Sequence, residues 1–257
     1  MNSRTRQFET PLCASNAELR KRRIGRAGWI LLVLCATAPL SALAQTDAGK
    51  TAKATPTKAS ASAKATETFP APVKTYGSKN APIELEVFGD YECPSCGAFF
   101  EGTLRPMIND YVAAGKVYIV HRDFPLSIHK YGYEAARWAN AAASIGKFAE
   151  AESALYDNQN YWAESGNIEK YMAAALSPAD MKHVQKLMTG CEMTVQPSGH
   201  TCPFDAYIEQ DRALGNQIPV QATPTFLIYY KGKKFPAGQG VVSWTVLKQF
   251  FDQLLTQ

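Results

Sequence analysis

Residues 83–96, IELEVFGDYECPSC, hold the tightest constraint in the chain. Apolar and acidic residues alternate from Ile83 to Glu86, and the run ends apolar at Val87-Phe88, which predicts a strand. A Cys-Pro pair, Cys93-Pro94, follows closely. Proline suits the first turn of a helix, where its missing N–H has no partner to lose. Residues 97–114 (GAFFEGTLRPMINDYVAA) then read as helical, with Pro106 predicting a kink or break. Residues 116–121 (KVYIVH) read as a second strand. Strand, helix and strand with a Cys-x-x-Cys at the first junction is the start of a βαβ unit, so the fold class is α/β.

The rest of the chain completes this unit around a helical insertion. Residues 131–163 are rich in Ala, with Ala136, Ala139, Ala143 and Phe148 offering an apolar stripe. Ser177-Pro178 is a helix start, Ser as N-cap and Pro at the first helical position. Pro203 opens another helix, over 203–216. Strand signals return at residues 225–230 (TFLIYY), and Lys231-Gly232-Lys233 turns into a short return strand near Lys234-Phe235. Residues 243–255 predict a closing amphipathic helix with Ser243 as N-cap and Val246, Leu247, Phe250, Phe251 and Leu254 on one face. The order is β-α-β, a helical insertion over about residues 126–217, then β-β-α. At 257 residues, 46% of them hydrophobic, the chain can build one core with an inserted subdomain.

The first 44 residues read as an export signal. Arg20, Lys21, Arg22, Arg23 and Arg26 precede the apolar run 27–38, which Pro39 breaks. Ala42-Leu43-Ala44 is a small-x-small cleavage motif. The break and the motif favour cleavage, and an uncleaved anchor is the alternative. Seven of the 27 basic residues and two of the 23 acidic ones lie here, leaving 20 against 21. The formal +4 of the whole chain is therefore no sign of a nucleic-acid partner. Residues 45–68, made mostly of Ala, Thr, Lys and Ser, hold no large apolar side chain and read as a disordered linker.

Export changes the meaning of the six cysteines, because disulfides persist outside the cytoplasm. Cleavage would remove Cys13 and Cys35 and leave two close pairs. A Cys-x-x-Cys can hold metal, staple the chain or cycle between dithiol and disulfide. A structural zinc site needs further ligands. The second pair, Cys191 and Cys202, is too widely spaced for one, and the histidines at 121, 129, 183 and 200 make no ligand pattern. A copper-binding thiolate pair remains the metal alternative. A staple this short constrains little. The redox reading has physical support: Cys93 sits at a helix N-terminus, where free N–H groups favour the thiolate. Cys93 is then the exposed, attacking sulfur, and Cys96, one turn on, faces inward and resolves. Cys191–Cys202 reads as a structural disulfide bracing a loop, with an auxiliary redox pair as the alternative. Asp90 and Glu92 read as solvated loop charges and His129 as a surface histidine close to the active-site face. Trp138, Trp162 and Trp244 read as core or groove-lining aromatics.

Three stretches together resemble the DsbA-like thiol-disulfide oxidoreductases of the thioredoxin superfamily: FGDYECPSC at 88–96, HRDFPL at 121–126 and ATPTF at 222–226. The resemblance covers roughly residues 70–257 and implies a thioredoxin fold with an inserted helical domain over 69–257. It implies exchange of disulfides with extracytoplasmic, cysteine-containing proteins through Cys93-Pro94-Ser95-Cys96, with no cofactor beyond the redox-active disulfide and no metal. Cys-Pro-Ser-Cys and the insertion favour an oxidase, reoxidised by a membrane quinone-linked partner. The alternative is an isomerase or reductase kept reduced by a membrane thiol donor. The protein would work in the periplasm or its equivalent, free after cleavage or tethered by residues 27–44. Pro224 would be cis and face Cys93, and the Thr223 backbone would pair with substrate. In one respect the chain departs from its relatives, many of which carry a buried acid as proton shuttle where Val87 stands. Glu86 faces the opposite way on an alternating strand, so the proton route is not given by the resemblance.

Overall fold

A computed structural model describes residues 70–191 and 202–256. The predicted leader and linker lie outside the described residues. The first half of the fold is β1 (Thr75–Tyr76), β2 (Ile83–Gly89), α1 (Pro94–Phe99), α2 (Arg105–Met107) and β3 (Val117–Asp123). Helical structure runs from Pro94 to Val112, because π-helical stretches at Phe100–Leu104 and Ile108–Val112 flank α2. Pro106 lies in α2 and does not end the helix. The wider turns on either side accommodate a residue that has no N–H to give.

Six helices follow: α3 (Gly132–Ser144), α4 (Phe148–Asp157), α5 (Gln159–Ser165), α6 (Ile168–Ala175), α7 (Pro178–Met188) and α8 (Asp205–Gln217). Ser177 caps α7, its Oγ accepting from the Asp180 N–H at 3.1 Å. The chain closes with β4 (Thr225–Tyr230), β5 (Lys233–Lys234), β6 (Gly238–Gln239) and α9 (Trp244–Leu255). This is a thioredoxin fold with an inserted helical domain. β1 and β6, two residues each, are too short to leave a periodic signal in the sequence. On α9, Leu247, Phe251 and Leu254 are buried, whereas Val246 is 55% exposed. Residue 246 lies one step, or about 100°, around the helix from 247, which puts it outside the buried stripe. The Ser243 side chain makes no capping hydrogen bond to α9.

The strand order is β1-β3-β2-β4-β5, with β6 also pairing β4. β2 runs parallel to β3 and antiparallel to β4. On one face Ile83, Leu85, Val87, Val117, Ile119, Phe226 and Ile228 join the large core with α1, the insertion and α9. Phe88 and Leu227 point to the other face, where Phe124 and Val220 cover them. Among the described residues no helix is long and apolar enough to cross a membrane.

Candidate active site

Sheet register brings the two distant motifs together. Phe88 pairs with Thr225 in the antiparallel β2–β4 ladder. The segment leaving β2 and the segment entering β4 therefore meet at one end of the sheet. Cys93 stands in the first and Thr223-Pro224, a cis peptide, in the second. The Cys93 thiol donates to the Thr223 carbonyl at 3.4 Å. Cys93 is also the residue preceding α1, and its carbonyl accepts from the N–H groups of Cys96 and Gly97 at 2.9 and 3.1 Å. Pro94 and Ser95 are exposed. Cys96 Sγ accepts from the Asp90 N–H at 3.4 Å.

The two sulfurs differ in acidity. The Cys93 thiol is lowered from 9.0 to about 5. The Cys96 thiol, hydrogen-bonded to the Cys93 sulfur, is the largest cause, and burial opposes it. The Thr223 hydroxyl and the N–H groups of Cys96 and Ser95 add to the effect. Cys96 goes the other way: burial first, then the neighbouring Cys93, pushes its thiol well above the usual range. Cys93 is 7% exposed and Cys96 3%, so the expectation of an open Cys93 is corrected. The loop before β4 roofs the sulfur that the helix presents.

Three polar residues hold the motif in place. Asp90 is 1% exposed rather than solvated. Its carboxylate accepts from the N–H groups of Glu92 and Leu126 at 2.9 and 2.8 Å and meets His129 Nδ1 at 2.6 Å. It spans its own turn, as Asp commonly does, and pins the loop after β3 beside Cys93. Glu92, partly buried, accepts from the Tyr131 N–H. His129 has a side chain 16% exposed and is raised in pKa: burial opposes this, and the Asp90 carboxylate outweighs it. Gln159, at the start of α5, donates to the carbonyls of Tyr91 and Cys93 at 2.6 and 2.9 Å. In the sequence Asp90, Glu92 and His129 read as surface groups, and Gln159 carries no local signal.

Behind the cysteines lies a buried polar cluster. Val87 pairs with His121 and Gly89 with Asp123 in the parallel ladder, so these side chains share the face that packs on α4. His121 Nδ1 is 2.9 Å from Glu152 of α4, and Nε2 is 3.6 Å from Asp123. Burial disfavours charge on His121, but the carboxylates of Asp123 and Glu152 prevail and raise it to about 9. Glu152 also accepts from Tyr76 at 2.5 Å. Asp123 pairs with Lys74, which reaches Asp211 at 2.7 Å. Lys74 chiefly overcomes the effect of burial and keeps Asp123 far below the usual carboxylate range. One signal could have found Glu152: it sits between Phe148 and Tyr156 on a stripe four residues apart, an acid where the stripe is otherwise aromatic. Glu86, by contrast, faces away and pairs with Arg122 at 2.6 Å.

Cys191 and Cys202 are joined, with S–S at 2.06 Å, and both are buried. Arg137 of α3 ties this part of the insertion to α3 through Asp205 at 2.7 Å and the Cys191 carbonyl at 3.3 Å. Trp162 is fully buried, Trp138 is 7% exposed, and Trp244 packs partly buried against the core. Among the described residues no group of three or more His, Cys, Asp or Glu is arranged to hold a metal ion.

The sequence matches the family described as Thioredoxin over residues 71–246, and the chain belongs to that family. Its fold is like those of solved DsbA structures. It is similar to the solved structure of Pseudomonas aeruginosa DsbA2, with a TM-score of 0.52 and 21% identity, covering 73% of this chain and 97% of that one. It is 21% identical to Disulfide bond formation protein D of Bacillus subtilis, over 67% of this chain and 75% of that protein. It is also 35% identical to Na(+)/H(+) antiporter NhaA 1 of Mycobacterium sp. (strain KMS), over 62% of this chain. The chain spans only 24% of that antiporter's length, and 12% of the length of Na(+)/H(+) antiporter NhaA 3 of Salinispora tropica.

Proposed function

We propose that this protein is an exported thiol-disulfide oxidoreductase that introduces disulfides into extracytoplasmic proteins. Cys93 is the sulfur that substrates attack, and Cys96 is the sulfur that leaves and returns. The observation that carries this reading is the opposite displacement of the two thiols, Cys93 down to about 5 and Cys96 well up. A thiolate held this strongly is a good leaving group and stabilises the reduced pair, so the disulfide form is the reactive one and the protein oxidises. The Thr223 carbonyl and cis Pro224 beside Cys93 suit an extended substrate segment. Ile128, 81% exposed on the loop that Asp90 anchors, offers such a segment an apolar contact. Residues 1–44 direct export, and a membrane quinone-linked partner restores the disulfide. The similarity to Disulfide bond formation protein D supports the same direction.

The test uses the full chain, oxidised, with a reduced dithiol peptide. The peptide should become disulfide-bonded as the protein becomes reduced. Cys93→Ala should abolish this. Cys96→Ala cannot form the intramolecular disulfide and should leave the reduced peptide unchanged, but given the disulfide-bonded peptide it should hold a mixed disulfide at Cys93. A peptide left reduced by the wild-type protein rejects the reading.

A further inference from the structure

The turn between β2 and α1 is held from the helical insertion by one side chain. Gln159, the first residue of α5, is 7% exposed. Its amide nitrogen donates to the Tyr91 carbonyl at 2.6 Å and to the Cys93 carbonyl at 2.9 Å. A primary amide carries two N–H donors on one nitrogen, and both are engaged here. The two carbonyls stand on either side of Glu92, so a single planar group fixes two peptide planes of the turn at once. The amide oxygen cannot take this place, because it would face two other oxygens.

The peptide that follows Cys93 is the one on which its sulfur depends. It leads into Pro94, which has no N–H to anchor it. Its carbonyl accepts the N–H groups of Cys96 and Gly97, which close the first turn of α1, and the Gln159 amide from outside the helix. Turning this peptide about the Cα–C bond of Cys93 would turn α1 against the sulfur. Held as it is, at a ψ of 119°, the sulfur stands 3.4 Å from the Thr223 carbonyl and close to the N–H groups of Ser95 and Cys96, which help to keep it acidic.

Gln159 is itself braced from two sides. Trp162, further along α5 and fully buried, donates from Nε1 to the Leu155 carbonyl of α4 at 2.7 Å. Opposite, Gly97 leaves the space that the amide fills: a Cβ there would stand 2.8 Å from Gln159 Oε1, 3.3 Å from Cδ and 3.4 Å from Nε2. Gly97 lies inside α1 and outside the left-handed region, so the backbone does not call for glycine. Alanine would suit the helix better, whereas glycine suits Gln159. We infer that Gln159 is a positioning residue for disulfide exchange: from the helical insertion it fixes the peptide that carries Cys93, and Gly97 is the gap that admits it. The inference rests on the exchange reaction proposed for this site. The amide meets the Cys93 carbonyl, so it acts on the sulfur through the backbone.

The test is a double-mutant cycle on the full chain, read by thiolate absorbance of the reduced protein against pH. Gln159→Ala should make the Cys93 thiol about threefold to tenfold weaker as an acid, because the donors of the first turn are no longer held on the sulfur. Gln159→Met, of similar length but without a donor, should do the same. Gly97→Ala, which drives the amide off its carbonyls, should shift the midpoint in the same direction. In the double variant, Gly97→Ala with Gln159→Ala, the shift should equal that of Gln159→Ala alone, since the added methyl then meets no amide. Near pH 5, about where Cys93 titrates, the rate at which the reduced protein forms a mixed disulfide with a disulfide-bonded peptide should fall with the thiolate fraction. Denaturant titration shows that each variant is folded under these conditions. An unchanged midpoint in Gln159→Ala and Gln159→Met, even with stability lowered, would overturn the inference, and so would shifts that add in the double variant. Should Gly97→Ala fail to fold, Gln159→Met alone decides. A wild-type protein that forms no mixed disulfide removes the proposed function itself, whereas an exchanging wild type with unshifted variants removes only the positioning role.

Discussion

Replacing Cys96 by Ala tests the source of the Cys93 thiolate's stability. In the fold the Cys96 thiol is the largest cause lowering Cys93 from 9.0 to about 5. A hydrogen bond to a charged group contributes about 1.5–3 kcal/mol, and one pKa unit corresponds to about 1.4 kcal/mol. Cys96→Ala should therefore raise the Cys93 thiol by about one to two units. The N–H groups of residues 95 and 96 and the Thr223 hydroxyl remain, so the thiol should still titrate below an ordinary cysteine. Wild-type Cys93 at neutral pH should be thiolate in about a hundredfold excess over thiol. The assay is absorbance near 240 nm against pH for the reduced protein, cross-checked by the pH dependence of alkylation. Cys96→Ser, which keeps a donor, should fall between the two. An unchanged midpoint in Cys96→Ala would refute the argument, as would a wild-type midpoint near that of a free thiol.

Other outcomes follow from the same geometry. The stability that the Cys93 thiolate gives the reduced form should be greatest near about pH 8.5, where an unfolded thiol ionises, because the folded Cys93 is the stronger acid; above that pH the buried Cys96, which stays protonated, offsets it. That advantage should shrink as pH falls and vanish below about 5, which paired melting curves would reveal. Gln159→Ala leaves the carbonyls of Tyr91 and Cys93 without their side-chain donor, and denaturant titration should show a loss of about 1–3 kcal/mol. Replacing both Cys191 and Cys202 by Ala opens a link between residues 11 apart. It should cost about 3 kcal/mol while exchange at Cys93 continues. Gly132→Ala would set a methyl 2.5 Å from Asp90 Oδ1. It should weaken the hold on His129 and Leu126 and destabilise the fold by about 1–3 kcal/mol, measurable by thermal melting.

The order of elements was legible because period-2 runs, a proline-led helix and the Ala-rich stretch each carry a local signal. So were the positions of the cysteine motif and the Thr223-Pro224 loop. What stayed hidden depends on contacts between distant segments. Asp90 reads as a loop charge because nothing local says that the loop after β3 will fold over it. Glu152 sits in an ordinary helical stretch until Val87 and His121 come into register beneath it. Pro106 predicts a break because the sequence does not announce the π-helical turns that absorb it. Cys93 reads as exposed because the covering loop begins more than a hundred residues later. The same registration explains the departure at Val87: the polar group on that face stands on the neighbouring strand.

The reduction potential of the Cys93–Cys96 pair tests the central claim most directly. Equilibration of the full chain against glutathione, followed by thiol trapping, gives the value. An oxidant held in its reduced form by a strong thiolate should stand near about −120 mV. A potential near about −270 mV would make the pair a reductant and contradict the account.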